Sequence, residues 1–132
     1  MKGIDTNVLI RYLVQDDVKQ SSISTKFIEQ NCSVDNPGHI SHIVLCETAW
    51  VLEANYDQSS GSIAHIFEQL LQVSQLDVYE PAIIWRALND YKKSNADFAD
   101  HLLARVNEAN HCDVTTTFDK KASKQPGFEL LK

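Results

Sequence analysis

The chain has 132 residues, a formal net charge of −6, and 43% apolar residues. That is enough for one domain with a core of its own, and 4 Gly and 3 Pro are too few for an all-β chain of tight turns. The negative charge excludes a general charge-driven nucleic-acid binder, which works by neutralising phosphates, so any nucleic-acid contact must be local or screened by metal ions.

Residues 1–5 read as a short buried strand with Ile4 in the core. Residues 7–14 have helical spacing, with Val8, Leu9, Tyr12 and Leu13 on one face. The stretch 8–14 is too short for a signal peptide or a membrane span and is interrupted by Arg11, so a soluble, cytoplasmic protein is expected. "DVKQSSISTKFIEQN" reads as a second helix with Ile23, Phe27 and Ile28 inward, and "NPG" breaks it. "HIS" is a short strand candidate. "HIVLCETAWVLEANY" is a strongly apolar helix whose Trp50 reads as core. "SSGSIAHIFEQLLQVS" opens on serines that suit a cap and carries Ile63, Ile66, Phe67, Leu70 and Leu71 at helical spacing.

"LDVY" is a strand candidate. Pro81 suits the first turn of "PAIIWRALNDYKKS". "DFADHLLARVNEANH" is a further helix, "CDVTTT" a strand, and "FELL" a final one. Strands separated by helices, with no long linker, predict one α/β domain over residues 1–132, built around a small parallel sheet. Cys32, Cys46 and Cys112 are odd in number and form no C-x-x-C pair, so neither a disulfide framework nor a zinc knuckle is indicated.

In a parallel α/β sheet, ligands bind beyond the carboxyl ends of the strands. Asp5 stands there, after the first strand; it is either a helix cap or a reactive group. Glu47 has Ile43, Val44, Trp50 and Val51 as its helical neighbours, which predicts a carboxylate on a core-facing side. Such a group wants a cation, a pocket or a metal, unless a Lys or Arg pairs with it. Asp97 and Asp100 are three apart and share a helical face; Asp97 reads as the N-cap and Asp100 as a first-turn acid. Asp119 follows "VTTT", again at a strand end, where an ordinary turn is the bland alternative. Acids that converge repel one another and are costly together unless they hold a cation; all-oxygen ligation selects Mg²⁺ or Mn²⁺.

"IDTNVLIRYLVQDD", "CETAWVL", "DFADHLLA" and "TTTFDKK" stand in the order and spacing of the PIN-domain nucleases. The chain resembles most the VapC-type toxins of toxin–antitoxin pairs, over nearly its whole length. The resemblance implies a three-layer α/β/α sandwich with a small central parallel sheet, and a metal-dependent endoribonuclease. Asp5, Glu47 and Asp100 match the three metal-binding acids, and Asp119 the more variable fourth. Asp100 is preferred to Asp97 because it directly precedes "HLLA". Thr6 and Asn7 resemble residues that brace the first acid, while Thr116 and Thr117 match positions lining the site near Asp119. Also implied are Mg²⁺ or Mn²⁺ as cofactor, RNA as substrate, products with 5′-phosphate and 3′-hydroxyl ends, a VapB-type antitoxin as partner, and a homodimer formed through the apolar helices at 42–55 and 59–74. No membrane partner is implied.

The five histidines form no zinc pattern, and His101, beside Asp100, reads first as a packing residue. Lys120, Lys121 and Lys124 flank Asp119 and either steer a phosphate backbone or form a solvated charge run. Phosphatases of the haloacid-dehalogenase type need a second Asp where Asn7 stands, and phospho-receiver domains need an acidic pair that is missing. Two alternatives remain: a PIN-domain nuclease of RNA processing outside a toxin–antitoxin pair, and a PIN-like binding module without catalysis, against which the intact set of acids argues.

Overall fold

The computed structural model describes residues 1–132, which form two compact units: Met1–Gln58 with Gln69–Tyr79, and Ser59–Glu68 with Glu80–Lys132. In the first unit, β1 (Lys2–Gly3), β2 (Gly38–Ile40) and β3 (Leu76–Val78) form a parallel sheet in that order. Lys2 pairs with Gly38, and Gly38 with Leu76. The backbone N–H of Ile4 donates to His39 and that of Tyr79 to Ile40, which extends the ladder by a residue at each strand end. Ile4, Ile40 and Val78 are buried. Gly38 makes room for this packing: a Cβ there would stand 2.5 Å from Ile4 Cδ1 and 3.1 Å from Cys32 Sγ, so a larger residue would have to push the Ile4 side chain aside.

Three helices complete this unit: α1 (Thr6–Leu13), α2 (Val18–Asn31) and α3 (His42–Tyr56). Asp17 caps α2 by accepting from the N–H of Gln20, and Ser41 caps α3 by accepting from that of Val44. Several expected faces are turned. The buried residues of α1 are Leu9 and Ile10, with Val8, Tyr12 and Leu13 only half-buried. The buried face of α2 is Ser21, Ser24 and Ile28, while Ile23 is 60% exposed. Small serines let α2 lie close to α1, and the Ser21 hydroxyl donates to the Val14 carbonyl.

On α3 the inward set is Val44, Leu45, Thr48, Ala49 and Leu52. Ile43 is 72% and Trp50 50% exposed, so Glu47 lies on the exposed side and Trp50 is not core. A helix apolar nearly all round carries no periodicity to say which side faces in.

The second unit holds α4 (Ser60–Leu70) through Glu68, then α5 (Pro81–Tyr91), α6 (Phe98–Ala109), β4 (Thr115–Thr117), α7 (Lys120–Ser123) and β5 (Phe128–Leu130). Pro81 occupies the first turn of α5, as expected. Ile63 and Phe67 of α4 are buried, while Ile66 is half-buried. Phe98 meets Phe67 edge-to-face at 5.3 Å and Tyr91 at 5.8 Å. Arg105 clamps Asp90 with two parallel bonds, 2.7 and 3.0 Å, tying α6 to α5. β4 and β5 pair in parallel, Thr115 opposite Phe128. The short helix α7 had no counterpart in the expected elements; the Asp119 cap starts it. Seven helices and parallel strands make the α/β fold that the sequence predicts. No helix is long and apolar enough to cross a membrane.

Candidate active site

The chain turns from β1 into α1 at Asp5, whose extended backbone (φ −81°, ψ 160°) makes it the N-cap. Its Oδ1 accepts from the N–H of Thr6, the next residue, at 2.7 Å. An ordinary cap reaches one or two residues further, to N2 or N3. Asp5 therefore satisfies little of the helix end, and its Oδ2 has no partner in the protein. The Thr6 hydroxyl donates to Glu47 Oε1 at 2.8 Å. One threonine thus holds Asp5 through its backbone and Glu47 through its side chain. Glu47 Oε2 is likewise unclaimed. Asn7, expected to brace Asp5, makes no side-chain hydrogen bond; Thr6 alone does so.

Asp5, Thr6 and Glu47 line one end of a groove of about 370 Å³ in the first unit, whose other residues include Asn7, Ile10, Arg11, Val51, Asn55 and Tyr56. Glu47, Val51 and Asn55 are spaced four apart along α3, and Asn7 and Arg11 four apart along α1, so each set forms a stripe. Arg11, Asn55 and Tyr56 are not among the site residues expected from the sequence. The two stripes, counted from the acids already singled out, could have found them. Cys46, beside Glu47, is no nucleophile: burial, then the Glu47 charge, push its thiol up to about 11.

The remaining acids lie in the second unit. Asp97 takes the N-cap position of α6 (φ −69°, ψ 154°), but its side chain makes no capping bond, contrary to the cap expected of it. Asp100 is in the first turn. Burial raises its carboxyl above the ordinary range, and the charges of Asp97 and Asp119 push the same way. Asp97, Asp100 and Asp119 are thus near enough to repel. Asp119 is a true cap of α7, accepting from Lys121 at 2.8 Å and Ala122 at 3.2 Å, while its own N–H donates to Thr117 Oγ1 at 3.0 Å. Thr117 therefore steadies the Asp119 turn, whereas Thr116 is exposed and makes no such bond. Lys120, Lys121 and Lys124 are exposed and form no ion pair. His101 is buried, bonded through Nε2 to the Ser94 hydroxyl, and is a packing residue.

Hard carboxylate oxygens with no Cys or His beside them suit Mg²⁺ or Mn²⁺. The two unclaimed oxygens of Asp5 and Glu47, in one groove, fit such an ion. Neither unit by itself gathers three His, Cys, Asp or Glu side chains closely enough to hold one; the expected ligands are Asp5 and Glu47 in the first unit and Asp100 in the second.

The family model described as PIN domain matches residues 3–127, and the chain belongs to that family. PIN domains are generally metal-dependent nucleases. No curated protein gives a significant match to this chain.

Proposed function

We propose that this chain is a VapC-type toxin: an Mg²⁺- or Mn²⁺-dependent endoribonuclease held silent by a cognate VapB-type antitoxin. The observation that carries the reading is the Asp5–Thr6–Glu47 constellation. It spends a threonine on orienting two carboxylates in an open groove instead of neutralising them with a cation. By the motifs they occupy, Asp5, Glu47 and Asp100 are the metal-binding acids and Asp119 the fourth acid.

A bound divalent ion would polarise a phosphate oxygen, activate water and stabilise the leaving 3′ oxygen. The chain's own contribution is to hold the carboxylates. Thr6 fixes the Asp5 and Glu47 oxygens in place. Thr117 and the α7 backbone fix Asp119. Asp100 is disfavoured as an anion by its burial and its acidic neighbours, so positive charge near it is stabilising.

Two features support the partners. The outward Ile43 and Trp50 on α3 give an apolar surface of the kind a second copy covers. The groove acids would accept a basic antitoxin side chain in place of the metal charge.

The test is cleavage of total RNA by the purified protein with Mg²⁺ or Mn²⁺, against chelator and against Asp5→Asn, with sequencing of the RNA ends. Expected are 5′-phosphate and 3′-hydroxyl ends at discrete sites, lost in both controls. Cleavage unaltered in Asp5→Asn refutes the assignment. Growth arrest on expression, relieved by a small co-expressed protein from the neighbouring reading frame, tests the toxin role. Cleavage without any growth effect would instead place the enzyme in RNA processing.

A further inference from the structure

We infer that the end of the groove away from the acids, made by Arg11, Asn55 and Tyr56, is a nucleotide subsite that binds single-stranded RNA beside the bond being cut. This rests on the ribonuclease reading above and deepens it. The groove is chemically two-ended. Asp5 and Glu47 stand at one end. Along α3 from Glu47 to Asn55 is eight residues, about 12 Å of helix. Ile10 and Val51 also line the groove, and Arg11 is its only Lys or Arg.

Arg11 is held in place. Its Nε donates to Gln20 Oε1 at 2.8 Å and its Nη1 to Asp16 Oδ1 at 3.1 Å, while Nη2 has no partner. The Tyr56 hydroxyl donates to Asp16 Oδ2 at 2.9 Å. One aspartate therefore positions both a guanidinium and a phenol at the same end of the groove. A guanidinium fixed in advance loses less freedom when it takes a phosphate, and its planar fork suits phosphate oxygens. The Asn55 amide is exposed and has no partner in the protein. A side-chain amide offers the donor and acceptor pair that reads a base edge, and single strands present such edges and faces freely.

The groove also continues. A second cavity of about 290 Å³ is lined by Asn7, Val8, Arg11, Gln20, Ile23 and Ser24, with no carboxylate among them. It shares Asn7 and Arg11 with the first. In a chain of net charge −6, a cavity lined by no carboxylate, starting at the arginine that Asp16 holds in place, suits a polyanion leaving the acidic end.

The experiment uses the whole protein and a short random-sequence single-stranded RNA pool. Binding is measured against salt with Ca²⁺ in place of Mg²⁺, and cleavage and cut-site sequence with Mg²⁺. Arg11→Gln is expected to weaken binding and raise KM about tenfold with little change in kcat, and to lower the salt slope by about one. Arg11→Lys should restore the slope. Asn55→Ala, which removes no bond within the protein, should keep the fold and relax the base preference at one position beside the cut. Tyr56→Phe should raise KM less than Arg11→Gln does. Wild-type affinity and slope in Arg11→Gln, or an unaltered cut-site profile in Asn55→Ala, would overturn the subsite while leaving the ribonuclease reading intact. Variants that lose affinity for a co-expressed protein but bind RNA normally would assign the groove to that partner and overturn the inference. No RNA cleavage by the wild type, with either metal, overturns both readings.

Discussion

Thr6→Val is the sharpest probe of the acid pair. The substitution keeps the side-chain shape and the backbone N–H that holds Asp5, and removes only the hydroxyl bonded to Glu47 at 2.8 Å. A hydrogen bond to a charged group contributes about 1.5–3 kcal/mol when sheltered. Glu47 is exposed, so the lower end applies, and about 1.4 kcal/mol corresponds to about tenfold in an equilibrium constant. That agrees with the roughly 10–100-fold that outer-shell partners of metal ligands cost in affinity or activity. The fold should hardly notice, because the Thr6 hydroxyl makes no other bond within the protein and α1 keeps its buried Leu9 and Ile10. The assay is Mn²⁺ binding by calorimetry alongside the Mg²⁺ dependence of RNA cleavage. Expected is an apparent metal affinity weaker by about tenfold, an unchanged melting midpoint, and rescue by Thr6→Ser. Wild-type metal affinity in Thr6→Val would refute the claim that this hydroxyl presets Glu47.

Asp5→Asn, Glu47→Gln and Asp100→Asn should each cut ribonuclease activity by more than the about 100-fold upper figure for outer-shell changes, with the fold kept, as judged by circular dichroism. Asp100→Asn should also raise the melting midpoint at neutral pH, since it removes a charge that burial and the Asp97 and Asp119 charges disfavour more than the bond from the Asp97 N–H favours it; a lower midpoint would contradict the repulsion. Asp97→Asn should do less to activity than Asp100→Asn and, with no capping bond to lose, little to stability; equal damage to activity would reassign the third acid. His101 titrates below its ordinary range, first because it is buried, with Arg105 adding to this and Asp90, Asp100 and Asp97 opposing it. The native state resists a proton that the unfolded state accepts, so stability is full above about pH 6.5 and falls as pH drops below it. Urea midpoints between about pH 5.5 and 7.5 should show that slope in the wild type and a flatter one in His101→Asn. Trp50→Glu should shift a dimer to monomer by light scattering if α3 is the surface between copies.

The strand positions were legible because short apolar runs between helical segments leave little choice: "LDVY", "CDVTTT" and "FELL" each contain an observed strand, and "HIS" overlaps β2 at His39 and Ile40. Helix faces were harder to read. On α2 the inward residues are two serines and Ile28, whereas hydrophobicity alone pointed to Ile23, Phe27 and Ile28, of which only Ile28 is buried. Close helix approach selected small side chains there, and that preference has no apolar signature. Helix α7 was missed because its four residues, KKAS, are too few to show a period; its start depends on one capping aspartate.

Glu47 is the instructive case. It was singled out as a carboxylate on a core-facing side of α3, and that premise fails: two of its four helical neighbours, Ile43 and Trp50, are the exposed ones. The inference that Glu47 is unusual survives for a different reason. A buried carboxylate would need a cation to offset its desolvation. An exposed one needs none and would ordinarily be left to water. Here it is instead fixed by a threonine from another helix that also fixes Asp5, and it is flanked by outward apolar side chains that water does not favour. Orientation without neutralisation is what a metal ligand requires, and apolar exposure beside it is what a partner surface requires. The sequence pattern marked a residue that the structure also sets apart, because one face of α3 breaks the polar-outside rule. Only the three-dimensional placement separates that broken rule from an ordinary buried face.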